Sequence, residues 1–213
     1  MRFRTLTISR QYGSGGARIA SIVAARLGWR LLDSKILDAV AQATRINPSV
    51  IQTHDERVTS WFHRLNRDAL RSAALMAFLP CRDEEFFDAD CMVSFTRKVI
   101  EEAHSDGGCV VVGRGAQCIL DGCADVFRVF VYAPVAQRLH SVRLRTKEDI
   151  KEEQLNEVDA ERARYIHAYF GRHWQDLDLY DLMMSSKHGD EITASTILRA
   201  MGSERATSGE AVP

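Results

Sequence analysis

The stretch LTISRQYGSGGARIASIVAARLGW, residues 6–29, constrains the architecture more than any other part of the chain. A β-rich run, residues 3–9, leads through Arg10 into Gly13, Ser14, Gly15 and Gly16. Behind the glycines, Ile19, Ile22, Val23 and Leu27 fall on one helical stripe, and the spacing predicts a helix over 17–27. Gly28 is placed to cap its end. Strand, glycine turn and helix in direct succession aim main-chain N–H groups and the positive helix end at one point, an arrangement that holds anions. Glycines let the main chain wrap closely around phosphate oxygens.

The rest of the chain alternates in the same way. WRLLD (29–33) reads as a short strand ending in Asp33, and Ser34 is placed to cap the helix KILDAVAQA, which Asn47-Pro48 breaks. Residues 48–105 read as mainly helical and irregular, interrupted by Pro80 and RDEEFFDAD, with one clear helix marked by Met92, Phe95, Val99 and Ala103. CVVVG (109–113) and VFRVFVYAP (126–134) read as buried strands. Residues 135–170 read as helical and charged, YDLMMSS (180–186) as a last strand and DEITASTILRAM as a last helix. The end of the chain, 203–213, is small and polar and reads as a disordered tail. Five strands separated by helices imply a parallel sheet covered on both faces, with ligands beyond the carboxyl ends of its strands. Gly13 to Arg18, Asp33 and Gly113-Arg114 all fall at such ends.

Composition excludes several classes. The 213 residues suit one domain and carry a formal net charge of -1, so no global basic field points to a nucleic-acid polymer or an anionic membrane. No apolar run approaches a membrane span and the first residues have no secretory pattern, so the expected location is cytoplasmic. The five cysteines form no C-x-x-C and the seven histidines no H-E-x-x-H. The cysteines therefore read as reduced, buried thiols and no metal site is expected from these residues.

The glycine loop fits two patterns incompletely. A dinucleotide loop requires G-x-G-x-x-G/A and a later acid. Gly13, Gly15 and Asp33 match, but Arg18 stands at the third small position. An ATP loop requires G-x-x-x-x-G-K-[ST]. Arg10 then stands at the first glycine, Gly16 at the lysine, and Arg18 at or beside the hydroxyl.

The surrounding residues carry a resemblance. ARLGWRLLDSKIL, VVVGRG, VFVYAP with QRLHSVRLR, and VDAERAR resemble successive segments of bacterial cytidylate kinases. The ISRQYGSGG opening and YFGRHWQDLDLYDLMMSS resemble, more closely still, the cytidylate kinase-like proteins. The likeness runs from Leu6 to about Met201. It implies an α/β, three-layer P-loop NTPase-like fold: a five-stranded parallel sheet flanked by helices, plus a helical acceptor-binding insertion (44–105) and a lid (143–172) within one kinase-like domain, 1–202. It further implies ATP and Mg²⁺ as cofactors and phosphoryl transfer to CMP or dCMP. Ser34 matches an acceptor contact, Arg114 the acceptor-phosphate arginine, and Asp159 and Arg162 the lid pair. The chain departs from the kinase pattern at Gly115, Ala39 and Leu155, which stand where an Asp and two arginines are expected.

A phosphate loop without lysine requires another cation. Arg18, in the first helical turn, is the expected substitute, with Arg10 entering from the strand and Gly13, Ser14, Gly15 and Gly16 forming the cradle. Arg138 and Arg145, seven apart, share a helix face. With Arg162 they form the expected catalytic clamp; with Glu148, Glu152 and Asp159 they make an ordinary solvated face. Asp33 suits either a water-mediated Mg²⁺ or a helix start, and Ser14 or Ser9 replaces the missing loop hydroxyl. Trp61, Phe62, Phe86, Phe87 and Phe95 serve either a base pocket or core packing. Two rivals to the kinase remain: a non-catalytic nucleotide- or anion-binding module, and a dinucleotide-dependent oxidoreductase.

Overall fold

The computed structural model describes residues 2–33 and 89–203. Ser34, Ala39, Cys81, Trp61, Phe62, Phe86, Phe87, most of the expected insertion and the tail lie outside them, as do the side chains of Cys91 and Phe95. Two compact units emerge, one of residues 1–33 with 100–213 and one of residues 34–99. The first unit holds the whole sheet and the glycine loop.

All five expected strands are present. They are β1 (Thr5–Arg10), β2 (Arg30–Leu32), β3 (Cys109–Val112), β4 (Val126–Tyr132) and β5 (Leu182–Ser185). They pair in parallel, in the order β2-β3-β1-β4-β5. β1 is thus central, with Ile8 in register with Val112 on one side and Val129 on the other. The helices among the described residues are α1 (Gly16–Leu27), α2 (Ala89–Asp106), α3 (Ala116–Ile119), α4 (Val135–Thr146), α5 (Glu152–Phe170) and α6 (Asp190–Ala200).

The period-two alternation of β1 sets the two faces. Leu6 and Ile8 are fully buried beside Ile19 and Val23 of α1 and Ile197 and Leu198 of α6, forming the largest apolar cluster. On the other face, Phe130 of β4 packs against Ile166 of α5 and against Trp174. Helices on both faces make three layers, so the α/β expectation holds.

The strand order also settles one rivalry. In a dinucleotide fold the first two strands are neighbours. Here β3 lies between them, so Asp33, just past β2, stands two strand spacings, about 10 Å, from the glycine loop's strand. The oxidoreductase reading fails on that topology.

Residues 135–170 are not one helical stretch. α4 ends at Thr146, Lys147 takes a left-handed φ of 61°, and a short turn leads into α5. Arg143 holds the turn, donating from Nη2 to the Ile150 carbonyl at 2.8 Å and pairing with Asp149 at 3.0 Å. Leu155, in the position of the expected lid arginine, is fully buried with Val142 and Ile150. Releasing α5 from the body would expose Leu155 and Ile166, at about 1.5–3 kcal/mol each. Among the described residues no helix is long and apolar enough to cross a membrane. Cys109, Cys118 and Cys123 are unbridged, and burial pushes the Cys109 thiol up.

Candidate functional site

The loop from Arg10 to Gly16 leaves the carboxyl end of the central strand and is shaped by close neighbours. Gly13 and Gly15 have φ values of 85° and 80°, a region in which glycine is unstrained. A Cβ at Gly13 would also lie 2.7 Å from the Arg138 carbonyl oxygen, so the loop rests directly on α4. The start of α1 has no side-chain cap and no acidic residue in its first turn. Its leading N–H groups cannot bond within the helix, and they face the loop with the positive dipole end.

Asp159 organises the loop from α5. Its Oδ1 accepts the Tyr12 N–H at 2.7 Å and its Oδ2 pairs with Arg138. Arg138, 3% exposed, also donates from Nε to the Tyr12 carbonyl at 2.7 Å. Arg162 donates from Nη1 to the Arg10 carbonyl at 2.7 Å and lies 3.3 Å from Asp159 Oδ1. The Tyr12 ring packs against the Val142, Ile150 and Leu155 cluster. The guanidinium groups of Arg145 and Arg162 stand 5.2 and 5.8 Å from its centre. Tyr12 is the residue the sequence reading missed. The signal was a bulky aromatic inside a glycine loop, where small residues are the rule.

The cations do not fall where sequence spacing put them. Arg18 is paired with Asp190 at the start of α6, Nε to Oδ2 2.6 Å, and its side chain is 59% exposed. Its charge is therefore already balanced, by a pair that stands against the cradle: a Cβ on Gly15 would lie 2.5 Å from Asp190 Oδ1 and 3.3 Å from Arg18 Nη2. Arg138 is enclosed and held by Asp159 and the Tyr12 carbonyl, so it positions the loop. Arg10 lies at the centre. Its stem covers Gly16 and its guanidinium rests against Gly113. Burial, and then repulsion by Arg162 and Arg114, pull the Arg10 pKa down to about 10, while Asp33 and Asp159 oppose the shift. Burial also lowers the Arg162 pKa, against the attraction of Asp159. Arg10, Arg114, Arg162, Asp33 and Asp159 thus form one electrostatic group beyond the ends of β1, β2 and β3.

Two departures from the cytidylate kinase pattern have packing causes. A Cβ on Gly115 would overlap the Phe170 ring, and its φ is 73°, so no aspartate fits there. Leu155 belongs to the core. Between Gly113 and Gly115, Arg114 is itself left-handed, with φ 56°. Such strain costs about 1–2 kcal/mol in a non-glycine residue and is concentrated at functional sites.

Ser14 does not supply a loop ligand through its hydroxyl. Buried, it donates to the Gln11 and Val131 carbonyls at 2.9 and 3.2 Å. Ser9 is buried within β1, and Ala17 follows Gly16. The loop hydroxyls therefore do not fit a Mg²⁺ site of the usual ATP-loop kind. Among the described residues no three His, Cys, Asp or Glu side chains cluster as metal ligands. The glycine cradle and its arginines do fit a polyphosphate.

Comparison with known proteins agrees with this geometry. A family model described as "Cytidylate kinase-like family" matches residues 5–188. The chain belongs to the cytidylate kinase-like family. A cytidylate kinase from Methanosarcina mazei is 27% identical over 141 residues, 65% of this chain and 76% of that protein. An uncharacterized protein from Eubacterium ventriosum superposes with a TM-score of 0.65 at 17% identity, covering 94% of this chain and 99% of the other. A gluconokinase from Sinorhizobium meliloti gives 0.53 at 11% identity, covering 95% and 94%. A shikimate kinase from Bacteroides thetaiotaomicron gives 0.52 at 9% identity, covering 93% and 98%. The family and the P-loop kinase fold together support a kinase of a nucleotide or small molecule.

Two stability measurements test the site. Asp159→Ala leaves the Arg138 charge buried and unpaired, and urea denaturation should show a loss of about 3–5 kcal/mol. Adding Arg138→Met should recover part of that loss; strict additivity would contradict the coupling. Arg10→Met should raise ligand-free stability near neutral pH. The folded pKa of Arg10 lies below the unfolded one, so the penalty of holding its charge is complete below pH about 10. Above pH about 10 the unfolded chain binds more protons at this residue, stability rises with pH, and the gain from Arg10→Met should shrink. A destabilised Arg10→Met protein would contradict the cluster's strain.

Proposed function

We propose that the protein transfers the γ-phosphoryl group of ATP to a (deoxy)cytidylate-like acceptor. One observation carries this reading: three arginines converge at the loop, Arg10 with its guanidinium against Gly113, Arg114 next to Gly113, and Arg162 on the Arg10 carbonyl. They do so beside an uncapped helix start. Mutually repelling guanidinium groups are unfavourable in a ligand-free protein and become favourable once phosphates enter.

In this reading ATP phosphates occupy the cradle of Gly13, Gly15 and Gly16, with Arg10 beside them. Arg114 holds the acceptor phosphate at the end of β3, with Asp33 on the acceptor side. Arg162 and Arg145 flank the transferring group. Arg138 and Asp159 keep the loop in place, and Arg18 braces α1 against α6. An oxygen of the acceptor phosphate bonds to the γ-phosphorus as the bond to the β–γ bridging oxygen breaks. That oxygen keeps the electron pair and leaves on ADP. The arginines neutralise charge gathering on the oxygens, and no protein group forms a covalent bond. The Mg²⁺ that accompanies ATP would neutralise phosphate charge, and no step here depends on a particular ligand for it.

The inward Ser14 hydroxyl and the Ala17 position favour a second reading, a nucleotide-binding module without turnover. An ADP-release assay over the common nucleoside monophosphates, with Mg²⁺ and high enzyme, separates the two. The kinase reading expects turnover with CMP or dCMP; none with any acceptor would sink it. Arg114→Gly suits the left-handed backbone, so its stability should change by less than about 1 kcal/mol. Its acceptor KM should rise about 100-fold through lost charge-assisted hydrogen bonds. An unchanged KM would remove Arg114 from the acceptor site.

A further inference from the structure

We infer that Arg10 is the loop's phosphate-binding cation, transferred from the position where an ATP loop carries lysine and given room by Gly16 and Gly113. The inference deepens the kinase reading and rests on it for the identity of the ligand.

Steric exclusion comes first. Gly16 stands at the lysine position of an ATP loop. A Cβ placed on it would lie 2.6 Å from Arg10 Cβ and 2.8 Å from Arg10 Cγ, with Cδ following at 3.6 Å. The Arg10 stem therefore fills the space in which a lysine side chain at position 16 would begin. Both cannot be present. A loop with a large residue at position 10 requires glycine at 16, and an ATP loop with lysine at 16 requires glycine at the first position. The two substitutions are one exchange.

The second glycine completes it. A Cβ on Gly113 would overlap Arg10 Nη1, with Cζ and Nη2 at 3.1 and 3.5 Å, so the guanidinium meets the end of β3 by that edge. The side chain thus runs from Gly16, at the start of α1, to Gly113, the residue before Arg114. Arg162 binds the Arg10 carbonyl and so fixes the residue's main chain from α5. A lysine at 16 is a point charge on a flexible stem. An arginine rooted on the strand presents a planar fork fixed at both ends, suited to bidentate contact with phosphate. Arg18 is the weaker candidate, because Asp190, whose carboxylate stands beside Gly15, already balances its charge.

The test moves the cation back. ATP affinity is measured by calorimetry for the wild type, Arg10→Met, Arg10→Lys, Arg10→Gly, Gly16→Lys and the double variant Arg10→Gly with Gly16→Lys. Arg10→Met should bind ATP about 10- to 100-fold more weakly, with Arg10→Lys between it and the wild type. Gly16→Lys alone should also bind poorly, because its stem meets Arg10. The double variant should recover to within about 10-fold of the wild type, a rescue that a merely structural Arg10 would not give. Arg10→Met binding as well as the wild type, or a double variant no better than Arg10→Gly, would overturn the inference. If a melting curve shows the double variant unfolded, the order Arg, Lys, Met at position 10 decides. ATP affinity that follows Arg10 without turnover of any acceptor would defeat the kinase reading alone. A wild type that does not bind ATP would defeat both.

Discussion

The carboxylate of Asp159 is the interaction on which the site depends. One oxygen takes the Tyr12 N–H and the other pairs with buried Arg138, which holds the Tyr12 carbonyl. Arg162, one helical turn further along α5, takes the Arg10 carbonyl. Three side chains thus fix the polar main-chain groups of a loop that glycine alone would leave free. The Asp159 carboxylate is 12% exposed. In that environment both partners gain from their further bonds to the loop, and losing one leaves the other stranded.

With the loop held, the distribution of positive charge follows. Arg138 and Arg18 are balanced by Asp159 and Asp190. Arg10 lies instead among Arg114 and Arg162, with Asp33 and Asp159 offsetting part of the repulsion. Strain of this kind, together with the left-handed Arg114, is concentrated at functional sites. The apolar contacts of Leu155 and Ile166 hold α5 down, so the arginines it carries are already in place. The site is preorganised and electrostatic, which suits a reaction that asks for positioning more than covalent help.

Much of this was legible in the sequence, and the limits have physical causes. Short apolar runs such as CVVV and VFRVFVY could only be strands of a buried parallel sheet, and all five were found. The cradle was legible because glycines between a strand and a helix have few other uses. The assignment of cations was not. Arg18 is drawn off by Asp190, 172 residues away, and no local pattern announces that pair. Asp159 and Arg162 were singled out through a resemblance as a lid pair, and the structure shows what they touch in the protein itself: the loop's main chain. The departures at Gly115 and Leu155 looked like lost function. Each has a neighbour that requires it, the Phe170 ring in one case and the Val142–Ile150 core in the other. The break at Lys147 escaped because charged helices run on in sequence, whereas a left-handed residue held by Arg143 is a tertiary event.

The most direct measurement of this account is a crystal structure with a non-hydrolysable ATP analogue. The account predicts phosphates at the start of α1, the Arg10 guanidinium within hydrogen-bonding distance of them, and the Arg18–Asp190 and Arg138–Asp159 pairs intact. Phosphates held by Arg18 after it leaves Asp190, with the Arg10 guanidinium out of their reach, would contradict it.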